Sequence, residues 1–90
     1  MLIFEWDPDK ARDNEQKHGI SFLEAAEVFD DDHSSSVSDP DHSANEHRYL
    51  IFGISKQGRY LVVSYTERGD RIRLISARQM TPRERRAYEQ

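Results

Sequence analysis

The sequence predicts an α+β domain: a twisted antiparallel β-sheet with helices packed on one side, in the order β-α-α-β-β-β-β-α. Three observations lead there. The alternating runs RYLIFGIS (48–55), RYLVVSYT (59–66) and RIRLISAR (71–78) follow one another across short, Gly-bearing links, the pattern of an antiparallel meander. Two S/T-x-x-E capping boxes, starting at Ser21 and Thr81, open helical stretches before and after those runs. The chain has 90 residues, 36% of them hydrophobic, which is enough for one core and one domain spanning 1–90.

The elements follow in order. LIFEW (2–6) alternates, with Leu2, Phe4 and Trp6 on one face and Ile3 and Glu5 on the other, so it reads as a short strand. Asp7-Pro8 supplies an N-cap and a first helical proline, and PDKARDNEQKH then runs without a breaker to Gly19. Only Ala11, Asn14 and His18 form a stripe on that helix, so it must lie shallowly on the body. The box at Ser21 opens a short apolar helix that ends near Phe29 or Asp30. Residues 30–47 hold six acids, three His, five Ser and no Lys or Arg; they read as an edge strand at Ser35–Ser38 followed by a polar, partly mobile loop. In the meander, Leu50, Phe52 and Ile54 share a face, as do Leu61, Val63 and Tyr65, while Ile72 and Leu74 oppose Arg71, Arg73 and Ile75. PRERRAYE closes the chain as a helix.

Charge is divided unevenly. Residues 1–58 carry five Lys/Arg against thirteen Asp/Glu, whereas residues 59–90 carry eight Arg, no Lys and four acids. Arginine offers a rigid bidentate fork for phosphate or carboxylate, so the C-terminal third suits an anionic partner or a salt-bridged surface. The absence of cysteine excludes disulfides, thiolate metal sites and cysteine nucleophiles. No apolar run approaches the ~20 residues of a membrane span, and MLIFEWDPDK lacks the basic region of a signal peptide. A soluble, cytoplasmic protein is expected.

The segments FEWDPDKARDNEQKHGISFLEAAEVF, RYLIFGIS, GRYLVVSYTERGDRIRLISAR and TPRERRAYE together resemble the BrnT family of bacterial toxins. The most specific pieces are Trp6-Asp7-Pro8, Lys10, Asn14 and Lys17-His18-Gly19, then Ile75-Ser76-Ala77-Arg78, Glu84-Arg85 and Tyr88. The resemblance covers nearly the whole chain and is weakest over 30–47. It implies a RelE-like fold and a ribonuclease that arrests translation as the toxin of a type II toxin–antitoxin pair. It also implies a cognate BrnA-like, ribbon-helix-helix antitoxin, expected in a heterotetramer, with operator DNA contacted only through that antitoxin.

Cutting RNA without a metal needs a base for the ribose 2′-OH, positive charge at the phosphate and an acid for the leaving 5′-oxygen. Arginine meets the second need. Arg73 lies mid-strand beside Arg71, Arg78 ends the same run, and Arg68 follows Glu67 at the preceding turn. These residues read either as phosphate holders with Glu67 as a base, or as a hairpin-end ion pair and a solvated sheet face. His18 reads either as an acid–base group or as a C-capping imidazole. The candidate catalytic set is His18, Glu67, Arg68, Arg73 and Arg78. Lys17, Arg48, Arg71, Arg85 and Tyr88 are candidate RNA contacts, with Tyr88 alternatively docking the last helix. His33, His42, His47 and the neighbouring acids fit no compact ligand spacing, so neither metal nor other cofactor is expected. Two other readings stay open: a non-catalytic module that binds antitoxin and tunes autoregulation, and a structural domain whose arginines pair in cis with residues 30–47.

Overall fold

The computed structural model describes residues 1–39 and 47–90, and among these five strands form one sheet. The elements are β1 (Ile3–Glu5), α1 (Pro8–His18), α2 (Phe22–Glu27), a 3₁₀ turn (Val28–Asp30), β2 (Ser35–Ser38), β3 (Arg48–Ile54), β4 (Tyr60–Arg68), β5 (Arg71–Gln79) and α3 (Pro82–Tyr88). Their order matches the sequence expectation. The sheet order is β1-β5-β4-β3-β2. β2 to β5 form the expected antiparallel meander. β1 adds to the outside of β5 in parallel, with Phe4 opposite Ile72 and Glu5 opposite Arg73. The loop expected across 40–46, including His42, lies outside the described residues.

Local chemistry explains the helix boundaries. The Asp7 carboxylate accepts the Asp9 N–H at 2.8 Å, and Gly19, at φ 71°, ends α1 by donating its N–H to Glu15 O at 2.8 Å. Ser21 Oγ accepts the Glu24 N–H at 3.1 Å to start α2. Thr81 and Glu84 cap α3 reciprocally.

α1 and α2 cover one face of the sheet. Ile20, Phe22, Ala25 and Val28 meet Ile51, Leu61, Val63, Tyr65, Ile72, Leu74 and Ala77 there. Phe29 sits between Phe4 (5.1 Å between centroids) and Tyr65 (5.0 Å), both edge-on, which ties β1 to the centre. In β3 the core-facing residues are Tyr49, Ile51 and Gly53, whereas Leu50, Phe52 and Ile54 are half-buried on the other face. Both faces of this strand are apolar, so alternation alone did not distinguish them. Gly53 is where the 3₁₀ turn crosses: a Cβ there would stand 3.2 Å from both Val28 Cβ and Val28 O. The expectation of helices on one side holds for α1 and α2. α3 returns to the other face, where it walls a groove with Ser35 and Phe52 and grips Arg78 through Glu84. Its Tyr88 hydroxyl donates to Asp31, whose carboxylate also accepts the Ile54 N–H at 2.8 Å and the His33 N–H at 3.0 Å.

Asn14 joins α1 to the sheet. β1 pairs only with residues 71–73 of β5, which leaves the outer edge of β5 without a strand partner beyond them. The Asn14 carboxamide fills that place at Ala77. Its Oδ1 accepts the Ala77 N–H at 3.0 Å, and its Nδ2 donates to Ala77 O at 2.9 Å and to Ile20 O at 3.0 Å. This reproduces the reciprocal pairing of a hydrogen-bonded residue pair in an antiparallel ladder. Asn14→Ala would strand two buried carbonyls and one N–H, so it is expected to destabilise the fold by about 2–4 kcal/mol. Urea denaturation measures this, and Asn14→Asp, which cannot donate, is expected to fall in the same range.

Candidate functional site

The register places the β5 arginines on one face. Arg71 and Arg73 alternate with core residues Ile72 and Leu74, as expected. Strict alternation would then turn Arg78 toward the core. A bulge prevents this: Ser64 pairs with Ser76 but Tyr65 pairs with Leu74, so Ile75 is an extra residue. Beyond it Ala77 points into the core, and Arg78 joins Arg71 and Arg73 on the far face. Cross-strand pairs add two more arginines, since Arg48 opposes Thr66, Thr66 opposes Arg73, and Arg68 opposes Arg71. Arg48, Arg68, Arg71, Arg73 and Arg78 thus share the face that α1 and α2 leave uncovered.

Among the described residues two carboxylates order this face, and the sequence reading missed both as its partners. Glu5, projecting from β1 beside Arg73, accepts from Arg73 Nη1 at 2.9 Å and stands 3.8 Å from Arg71 Nη1. Glu84 holds Arg78 by a fork, at 2.8 Å and 3.0 Å. Glu5 was visible as a polar-face residue of the first strand, but its neighbouring strand was not. Glu84 was visible as a capping residue and in the Glu84-Arg85 motif, with nothing local to mark Arg78 as its partner. The fork from Arg78, against the cost of burial and helped by the Thr81 N–H, pulls the Glu84 carboxyl down to about 2. Glu84 is therefore a fixed anion at neutral pH and not a proton carrier. Between the arginines lie Ser64, Ser76 and the buried Thr66, whose hydroxyl donates to His47 O at 2.8 Å.

The remaining candidates fall elsewhere. Glu67 opposes Ile72, so it points to the helix side at the exposed hairpin end, while Arg68 points the other way. His18 and Lys17 line a groove between the C-terminal half of α1 and Ile75-Ser76 of β5. Arg85 lies 3.8 Å over the Tyr60 ring, and its Nε is 3.8 Å from Glu89. The Tyr88 hydroxyl is committed to Asp31, and burial together with that carboxylate pushes it up to about 12. Arg85 and Tyr88 thus hold α3 in place. Among the described residues no three metal-ligating side chains gather, and no helix is long and apolar enough to cross a membrane.

Fold and face together define a small α+β domain that presents a row of arginines held by carboxylates on an open sheet. The chain belongs to the BrnT family: residues 6–84 match the family described as "Ribonuclease toxin, BrnT, of type II toxin-antitoxin system". This bears out the resemblance read from the sequence, and such a toxin has an antitoxin as its partner. Among solved structures, the fold is similar to that of the Brucella abortus ribonuclease toxin, BrnT, at 1.1 Å resolution. That likeness has a TM-score of 0.66 and 21% identity, and covers 90% of this chain and 99% of that one. No curated protein matches the chain at a significant level.

The Arg78–Glu84 clamp should make α3 acid-labile in a defined window. A carboxyl depressed in the folded state contributes stability above its ordinary value of 4.5 and loses that contribution as pH falls toward about 2. Thermal unfolding followed from neutral pH down through this window is expected to show a steep acid limb. In Glu84→Gln the same limb should be shallower and the neutral-pH melting temperature lower.

Proposed function

We propose that this chain is the RNA-cleaving toxin of its toxin–antitoxin pair and that it acts in the cytoplasm without a metal, on the arginine face of β5. The observation that carries the reading is the shared face of Arg48, Arg68, Arg71, Arg73 and Arg78. Several guanidinium groups gathered on one open sheet face suit an anionic ligand. In this reading Arg73 and Arg78 flank the scissile phosphate and offset the charge that develops in flight, while Arg48, Arg68 and Arg71 steer the strand. Glu84 holds the Arg78 fork and Glu5 one Nη of Arg73 at fixed orientation. His18, in the groove beside Ile75 and Ser76, and Glu67, at the β4–β5 hairpin end, are the acid–base candidates. Arrest of translation follows from loss of RNA.

The antitoxin is proposed to be a BrnA-like ribbon-helix-helix protein that covers the arginine face with an acidic segment. Its dimerisation would create a heterotetramer, and operator DNA would be reached only through it. Charge complementarity would make capture fast. One observation favours a second reading, a non-catalytic antitoxin-binding module: Arg71, Arg73 and Arg78 already sit on carboxylates, so the face is built to accept acidic groups.

Expression from a tight promoter, with growth and total RNA followed together, separates the two. The wild-type chain is expected to arrest growth and degrade RNA, Arg73→Ala to relieve both, and Arg73→Lys to restore only part. In vitro cleavage is expected to persist in excess chelator. Arrest that survives Arg73→Ala moves the site to His18 and Glu67, and no arrest from folded protein favours the binding module.

A further inference from the structure

The groove at the outer edge of β5 has no role in the reading above beyond holding His18. It measures about 220 Å³, and is lined by Lys10, Asp13, Lys17 and His18 from α1 and by Ile75 and Ser76 from β5. The bulge sets its position: Ile75 is the unpaired residue, with Arg73 two positions before it and Arg78 three positions after. The groove therefore lies at the edge of β5, at a position along the strand between Arg73 and Arg78.

Its charge is unusual for this half of the chain. The protein has three lysines, in a segment where acids outnumber bases thirteen to five, and two of the three stand here. Among the described residues neither Lys10 nor Lys17 has a carboxylate at ion-pair distance. By contrast Arg12 on the same helix is paired with Asp9, and Lys56 with Asp30. Lys10 and Lys17 are seven residues apart, which returns them to one face of α1 about 10.5 Å along the axis.

We propose that this groove binds single-stranded RNA flanking the cleaved bond, with Lys10 and Lys17 on two backbone phosphates and Ile75 against a base or ribose. The proposal rests on the ribonuclease reading and extends its substrate path around the edge of the sheet. Asp13 then supplies an acceptor for a base amino group, the contact that carboxylates make to cytosine.

The test is equilibrium binding of a 2′-O-methylated, uncleavable oligonucleotide of about 12 nucleotides across a salt series. Each phosphate contact on a single strand contributes about 0.7 to the slope of log K against log salt, so Lys10→Gln/Lys17→Gln is expected to lower the slope by about 1.4. Both side chains are exposed, and an unchanged melting temperature checks the fold of the variant. A wild-type protein that binds with a steep slope the double substitution leaves unchanged overturns the groove assignment alone. An unchanged slope with weakened antitoxin binding overturns it in favour of a protein contact. A wild-type protein that binds no oligonucleotide at low salt overturns the ribonuclease reading together with the groove.

Discussion

The Asn14 carboxamide is the contact on which the arrangement of this domain depends. α1 has almost no apolar surface of its own, with Ala11 its one aliphatic residue, so burial cannot seat it. Asn14 instead binds the backbone of β5 at Ala77 and the α1–α2 connection at Ile20, through three buried hydrogen bonds. Each contributes only about 1 kcal/mol net, but the buried groups they satisfy would cost more if left bare. The result fixes three things at once. α1 lies along the open edge of β5, Ile20 drops into the core, and the bulge at Ile75 is left facing a groove.

Electrostatics on the far face follows a second constraint. Five arginines on one sheet surface repel one another, and only partial neutralisation makes the surface tolerable. Among the described residues Glu5 and Glu84 contribute to it, the first from a parallel edge strand and the second from a helix N-terminus. Glu84 is held by a two-bond fork from Arg78 and Glu5 by a single bond from Arg73, so they fix orientation as well as charge. In the proposed reading, a phosphate and an antitoxin carboxylate compete for the same guanidinium groups. At the opposite end of the face, Asp31 gathers Tyr88, Ile54 and His33 and keeps α3 in position over Phe52.

Much of this was legible in the chain because it is local. Caps at Asp7, Ser21 and Thr81, the glycine at 19 and the alternation of residues 59–66 and 71–74 each act within a few residues. Arg71 and Arg73 were found by alternation and Arg48, Arg68 and Arg78 by type and their place at strand ends, and the five share a face. Four things were not legible. The core side of β3 was hidden because Leu50, Phe52 and Ile54 match Tyr49 and Ile51 in apolarity. The bulge that turns Arg78 outward leaves no mark of its own in ISAR. The two carboxylate partners depend on strand order and on where α3 returns. Asn14 read as a weak stripe residue on a polar helix, with nothing to mark its bond to a strand sixty-three positions away.

By itself the sequence determined the elements, their order, the split of charge and the family, since propensity, capping and motif spacing are short-range properties written in neighbouring residues. Tertiary structure alone decided that β1 runs parallel beside β5, that α3 takes the face opposite α1 and α2, and that Arg71, Arg73 and Arg78 meet Glu5 and Glu84. Those outcomes depend on register and on long-range pairing. A single unpaired residue in a strand shifts every side chain beyond it to the other face, and no local pattern records it.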